Sequence, residues 1–475
     1  MIRSTRDDVP LGSTVVGSYT LSRTASEGRG ELADERWWLA GPSPNTEGGA
    51  VRIAMVGQKG IPASYGGVEK AVEEVAARLV ARGHDVTVYN RWQPGPKPRE
   101  HRGIRLRYVP APGSKHLQNL AQSALGTALA TASRHDVVHY HALGPCLASP
   151  LARLRPKARV VVTIQGRDDQ RAKWGKGAQA VLATAAWMAA RIPHGGIAVS
   201  RQLQREFGEE FGTDVTYIPN GVAAVPEAPV PDPDPLETFG LEPGRYLINV
   251  GRLVPEKAID QLLAAYPDVP GDVKLVIVGG SSHTDDYVDR LQRLAAADDR
   301  IVLTGPVYGA GTDRLFRNAL GYVMPSLLEG LPLALLEAIS YGLPVAVSDI
   351  EPHVEVVGAD SAAGHRIFGA GDAASMVAAL TELVEHPERE RQAAQQLQAR
   401  VLHEFSWERI TDRTEALYRE LLGTAEPEVI DLTEAETPVM IDLVDTEASA
   451  AQHATIDLRS DPALESAGAG RDAGV

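Results

Sequence analysis

Val51-Arg52-Ile53-Ala54-Met55-Val56-Gly57 runs directly into Gln58-Lys59-Gly60-Ile61-Pro62-Ala63-Ser64-Tyr65-Gly66-Gly67-Val68-Glu69. Its first six residues form a short apolar run, the pattern of a buried strand closed by a glycine. Beyond the glycine-rich loop, Val68, Val72, Val75, Ala76 and Leu79 recur at helical spacing as far as Gly83. Asp85–Tyr89 reads as the next strand. The alternation continues with strands at 136–140, 158–164, 196–199 and 215–218. It restarts at 246–250, 274–278, 301–303, 320–324 and 345–347, each followed by a helical segment. Strands alternating with helices predict a parallel sheet covered on both faces. The expectation is an α/β protein of two consecutive, doubly wound, Rossmann-like domains. Ligands of such sheets bind at the carboxyl ends of the strands, here in a cleft between the domains.

The break between the two series is Pro226–Pro235, with five prolines in ten residues, which reads as a stiff linker over 226–240. It separates a domain at 51–225 from one at 241–422. Residues 1–50 and 423–475 carry no sustained period and read as disordered extensions. The first holds a Trp37-Trp38 pair that suits a short docking element. The second contains Ile-Asp-Leu three times, at 430–432, 441–443 and 456–458.

With 475 residues, 44% hydrophobic and 23% charged, the chain can build more than one core. Its single cysteine, Cys146, excludes an intrachain disulfide and a cysteine-based zinc site, fits a reducing cytoplasm, and reads as a small buried hydrophobe. The N-terminus has no apolar core of a secretory signal, and no run of 18 apolar residues exists. The Ala-rich stretch Ala178–Ala190 reads as a buried helix. A cytoplasmic protein is expected.

Charge is unevenly divided. Residues 51–222 hold 24 Lys and Arg against 12 Asp and Glu, while 223–422 hold 16 against 31. The last 53 residues hold 2 against 12. Basic clusters at Arg91–Arg107 and at Arg153, Arg155, Lys157 and Arg159 suit either a solvated face or peripheral contact with an anionic membrane. The acidic tail suits a solubilising role, a protein partner engaged by strand addition, or docking back onto the basic domain.

Three constellations carry chemistry. The loop Gly57–Glu69 allows close backbone approach and opens a helix whose free amides can hold a phosphate; it equally suits a plain glycine-rich turn. Gly251-Arg252-Leu253-Val254-Pro255-Glu256-Lys257 follows a strand, with Lys257 opening a helix. Arg252 as a fork and Lys257 as a point charge suit a diphosphate, and also suit two solvated surface charges. Glu329-Gly330-Leu331-Pro332-Leu333-Ala334-Leu335-Leu336-Glu337 places two carboxylates eight residues apart in an apolar segment. They suit acceptors for sugar hydroxyls, or a capping and an exposed helix glutamate. No G-x-G-x-x-G follows the first strand, which argues against an NAD-linked oxidoreductase.

In this order, from about Val51 to Leu422, the three constellations resemble the family-4 retaining glycosyltransferases of GT-B fold. The likeness is most specific at Glu329–Glu337, similar to the family's E-x7-E pattern, and at Gly251–Lys257. His139-Tyr140-His141, Ala198-Val199-Ser200 and Ile218-Pro219-Asn220-Gly221-Val222 read as they do there. The opening loop is closest to a bacterial rhamnosyltransferase-like branch that builds surface polysaccharide.

The resemblance implies a GT-B architecture with a central cleft, and a last helix that crosses back to the first domain. It implies transfer of a hexose or deoxyhexose from a nucleotide-diphosphate sugar to a polysaccharide or lipid-linked acceptor, with retention and without a metal or other cofactor. Gly66 and Gly67 would give amides to the diphosphate, which Arg252 and Lys257 would neutralise. Glu337 would hold ribose hydroxyls. Glu329, with Gly330 and Leu331, would hold the transferred sugar, near His141, which also suits a satisfied core histidine. The family usually has glycine after the motif lysine; Ala258 is read as harmless at a helix start. Gln165 stands where relatives carry histidine. Asp232-Pro233-Asp234 has the form of a metal-binding D-x-D but lies in the linker and reads as accidental. No nucleic-acid partner is expected. Alternatives are an epimerase or phosphorylase on the same fold, or a non-catalytic donor-binding scaffold.

Overall fold

Apolar runs buried on both faces set the architecture. In the computed structural model the described residues are 49–63, 66–111, 118–167, 176–225, 228–281 and 284–424. The N-terminal extension with Trp37-Trp38, and the acidic tail with its Ile-Asp-Leu segments, lie outside them apart from residues 49, 50, 423 and 424.

The first sheet has eight strands: β1 (Arg52–Val56), β2 (Asp85–Arg91), β3 (Glu100–His101), β4 (Ile104–Val109), β5 (Val137–His141), β6 (Arg159–Ile164), β7 (Gly195–Ala198) and β8 (Thr216–Tyr217). Their order is β3-β4-β2-β1-β5-β6-β7-β8. All neighbours are parallel except the β3–β4 pair. The second sheet has six: β9 (Tyr246–Val250), β10 (Lys274–Val278), β11 (Ile301–Gly305), β12 (Gly321–Met324), β13 (Val345–Ser348) and β14 (His365–Phe368). Its order is β11-β10-β9-β12-β13-β14, parallel throughout. Both sheets reverse their strand order beside the central first strand, at β1 and β9, where doubly wound sheets open a binding crevice. In β9, Tyr246 and Ile248 enter one buried cluster and Leu247 the other, so helices cover both faces.

Three strands go beyond the sequence expectation. β4 alternates buried Ile104 and Leu106 with Arg105 and Arg107, and so reads in sequence as a charge cluster; Arg105 pairs with Asp85 of β2 at 3.0 Å. Arg102, in the same cluster, pairs with Glu74 at 2.7 Å. β3 has two residues, and β14 is a half-buried edge. The Ala-rich helix Lys176–Arg191 is a correction: it is not buried throughout, since Val181 and Trp187 are both about half exposed. Cys146 is fully buried, and burial pushes its thiol up to about 12.

The proline-rich segment docks at its far end. Asp234 accepts from the Leu236 amide at 2.9 Å, capping the short helix Pro235–Thr238, and pairs with Arg314 at 3.2 Å. After the helix Pro387–Glu404 the chain returns to the first sheet, where the Val222 amide donates to the Phe405 carbonyl at 2.7 Å. Trp407 lies on Gly221, where a Cβ would stand 2.5 Å from its ring, so a side chain larger than hydrogen cannot fit there. The helix Trp407–Leu422 then runs beside the helix Gly67–Ala81. Arg78 pairs with Glu408 at 2.8 Å, and Arg82 with Asp412 at 2.6 Å. Glu415 lies 3.0 Å from Arg82 and 3.1 Å from His84. Burial would raise the Glu415 carboxyl, but Arg419, Arg82 and His84 hold it down to about 2.

Candidate active site

The loop after β1 and the backbone after β6 meet the segment Glu329–Glu337 of the second domain. The β1 end leads through Gly57 into the loop before the helix Gly67–Ala81. Gly66 there has φ +101°, a conformation open to glycine, and the Glu69 carboxylate folds back to accept from the Lys59 amide at 2.9 Å. Across the cleft Leu333 approaches Gly67: a Cβ on Gly67 would stand 3.1 Å from its Cδ1. Gly330 meets the backbone after β6 so closely that a Cβ would stand 2.0 Å from the Gln165 carbonyl oxygen. Asn220 donates to the Leu331 carbonyl at 3.1 Å and, at 3.4 Å, to the Gln165 side chain. The 329–333 segment is thereby fastened to the first domain at three points.

Both carboxylates of this segment are ion-paired. Glu329 is bonded to Lys257 of the same domain, and both side chains are largely buried. Burial would raise the Glu329 carboxyl, but Lys257 and the neighbouring His353 hold it below the usual range. Glu337, in the helix Leu333–Ser340 that follows Pro332, is bonded to Lys70 on the helix Gly67–Ala81. Arg252 is exposed just beyond the end of β9. A cavity of about 300 Å³ opens beside Glu329, lined by Gln202 of the first domain and by Leu328, Asp349 and Pro352 of the second.

The reading of Ala258 is corrected. Lys257 ends a 3-10 turn, Pro255–Lys257, and Ala258 stands between that turn and the helix Ile259–Ala265 with φ +50°. This left-handed conformation explains why glycine suits the position and makes alanine strained there.

His141 ends β5, buried, with neither ring nitrogen hydrogen-bonded among the described residues. Burial pushes its imidazole down to about 3, so it is neutral near pH 7 and can both donate to and accept from a hydroxyl. Its ring lies 4.2 Å from that of His139, tilted by 37°. His139 is tied on both sides, to the Tyr418 hydroxyl at 2.6 Å and to the Thr163 hydroxyl at 2.7 Å.

The structure therefore brings Gly66, Gly67, Glu329, Gly330, Leu331 and Glu337 to one cleft, with Lys257 on Glu329, while Arg252 lies just beyond β9 and His141 at the end of β5. Sequence reasoning missed Lys70, His353 and Tyr418. Lys70 and Tyr418 are marked only by partners far away in the chain, and His353 only by its burial beside Glu329.

The model for glycosyl transferases group 1 matches residues 238–400, and that for glycosyltransferase family 4 matches residues 65–224. The chain is 29% identical over 399 residues to an alpha-maltose-1-phosphate synthase of Mycobacterium tuberculosis, covering 78% of this chain and 100% of that protein. It is 27% identical over 352 residues to a GDP-mannose-dependent alpha-(1-6)-phosphatidylinositol monomannoside mannosyltransferase of Mycolicibacterium smegmatis, covering 69% of this chain and 88% of that protein. In fold it is similar to sucrose-phosphate synthase from Thermosynechococcus elongatus, with a TM-score of 0.67 and 20% identity over 79% of this chain and all of that one. Two sheets facing one cleft and two family models in series lead to one conclusion: the chain belongs to the family-4 glycosyltransferases of GT-B fold, which use nucleotide sugars.

Proposed function

We propose that this glycosyltransferase moves a hexose or deoxyhexose, with retention of configuration, onto a polysaccharide or lipid-linked acceptor. The observation that carries the reading is the ion-paired carboxylate segment Glu329–Glu337 lying against the helix that opens at Gly67. Cations and amides for a diphosphate, and carboxylates for hydroxyls, then line one cleft. Gly66 and Gly67 would present amides to the diphosphate, with Arg252 and Lys257 adding positive charge. Glu337 would accept from ribose hydroxyls. Glu329 would accept from hydroxyls of the transferred sugar, which Gly330 and Leu331 flank and His141 contacts through its neutral ring.

In transfer, the bond from the anomeric carbon to the diphosphate oxygen breaks and its electron pair stays with the diphosphate. Arg252, Lys257 and the helix amides would stabilise that growing charge. The acceptor oxygen bonds to the anomeric carbon on the face the diphosphate leaves, and its proton passes to the departing phosphate oxygen. No residue is assigned to hold a metal.

Contact with an anionic membrane would bring a lipid-linked acceptor to the cleft. Arg153 and Arg155 stand beside exposed Leu151 and Leu154 on the first domain, an arrangement suited to a charged apolar boundary. Among the described residues no helix is long and apolar enough to cross a membrane.

The test incubates the full-length protein with UDP-, GDP-, ADP- and dTDP-sugars and a lipid-linked acceptor, and reads the product by NMR. An α-linked product from an α-linked donor supports the reading. Inversion contradicts retention, and release of a sugar phosphate or an epimerised donor would favour a phosphorylase or an epimerase.

A further inference from the structure

We infer that Lys70 is a second diphosphate-binding lysine of the donor site, contributed by the first domain and held across the cleft by Glu337 until the donor enters. The inference rests on the donor-site reading above. Lys70 stands in the first turn of the helix Gly67–Ala81, its amide bonded to the Gly66 carbonyl at 3.2 Å. Its side chain therefore leaves the backbone beside the amides that would receive the diphosphate. The ammonium reaches over to Glu337, one turn into the opposing helix, whose first residue, Leu333, lies against Gly67. Two helix starts face each other, with a lysine on one and a carboxylate on the other.

The same pairing occurs at the other carboxylate, where Glu329 holds Lys257. Each end of the Glu329–Glu337 pattern thus carries a lysine. A carboxylate bonded to an ammonium is a poor receiver for the two hydroxyls of a ribose, because the ion competes for the same lone pairs. An arriving diphosphate offers Lys70 a stronger anion next to its own helix start. The four-carbon stem lets the ammonium swing there without ever leaving a negative partner. The swing frees Glu337 for the ribose. Recognition of the diphosphate and recognition of the ribose become one event: a nucleoside without phosphates must displace Lys70, whereas a nucleoside diphosphate recruits it.

The pair is nearly half-exposed at the lysine end, where side-chain exposure is 47%, so its removal leaves the fold intact. The test measures binding of UDP, GDP and ADP to the full-length protein by calorimetry at low salt, and of the corresponding nucleosides by competition. Wild type, Lys70→Met and Lys70→Arg are compared. For the diphosphate that wild type binds best, Lys70→Met is expected to weaken binding about tenfold or more, the loss of a charge-assisted contact. Its nucleoside is expected to bind a few-fold more tightly, and Lys70→Arg to keep most of the wild-type preference. A preference for diphosphate over nucleoside that is unchanged in Lys70→Met overturns the inference, whether both ligands gain equally or neither changes. Wild type that binds none of the three diphosphates contradicts the donor site itself, a separate outcome.

Discussion

The Tyr418 hydroxyl lies 2.6 Å from Nδ1 of His139, fastening the last described helix to the strand that ends at His141. The His139 ring is buried and stays neutral, with its other nitrogen on Thr163. Tyr418→Phe leaves one ring nitrogen buried without a partner, a loss of about 1–3 kcal/mol. Chemical denaturation should show that drop, and a variant as stable as wild type would contradict the account of this contact.

Trp407 closes over Gly221 where the chain returns to the first domain. Trp407→Ala should cost about 3–5 kcal/mol, as expected for a fully buried large aromatic. Denaturant unfolding followed by circular dichroism measures it. A loss below about 1 kcal/mol would show that the return segment does not anchor the helix Trp407–Leu422.

Ala258 has φ +50° in a buried position. Replacing it by glycine relieves the left-handed strain, partly offset by the greater freedom of glycine in the unfolded chain. Ala258→Gly is expected to stabilise by up to about 1 kcal/mol. A lower melting temperature than wild type would contradict the strain argument.

Acid should destabilise the protein in two stages. Burial pushes His141 down to about 3 and His353 to about 4, the latter against the opposing pull of Glu329. The unfolded histidines take up protons near pH 6.5 and the folded ones do not, so the native state loses ground as pH falls from about 6.5 towards 4. Each histidine contributes a slope of up to about 1.4 kcal/mol per pH unit in that window. Glu415, held at about 2, adds its loss only below the ordinary carboxylate range, near pH 4.5. Melting temperature should therefore begin to fall near pH 6.5, and His353→Gln should flatten that first decline. A melting temperature constant from pH 7 to 4.5 would contradict the burial of neutral imidazoles.

The α/β alternation was legible because strands such as Lys274–Val278 are apolar on both faces and end at glycine or turn signals. Ile104–Val109 was not, because alternating arginines that pair with neighbours look like a solvated patch when read along the chain. Glu329 and Lys257 could be singled out from spacing alone, and the structure brings them into contact. Lys70 could not, since its partner lies 267 residues away, and nothing local marks Tyr418 as the partner of His139. Ala258 illustrates a different limit: the sequence displays the residue, but only the backbone reveals the left-handed turn that makes it costly.

Under the proposed function, Arg252 and Lys257 stabilise the departing nucleotide diphosphate. This role is tested most directly by single-turnover transfer, with whichever sugar nucleotide the donor panel selects, in Arg252→Ala and Lys257→Ala. A fall of at least about tenfold in the rate of transfer is expected for each variant, equivalent to about 1.4 kcal/mol or more of lost transition-state stabilisation. Near-wild-type rates in both variants would contradict it.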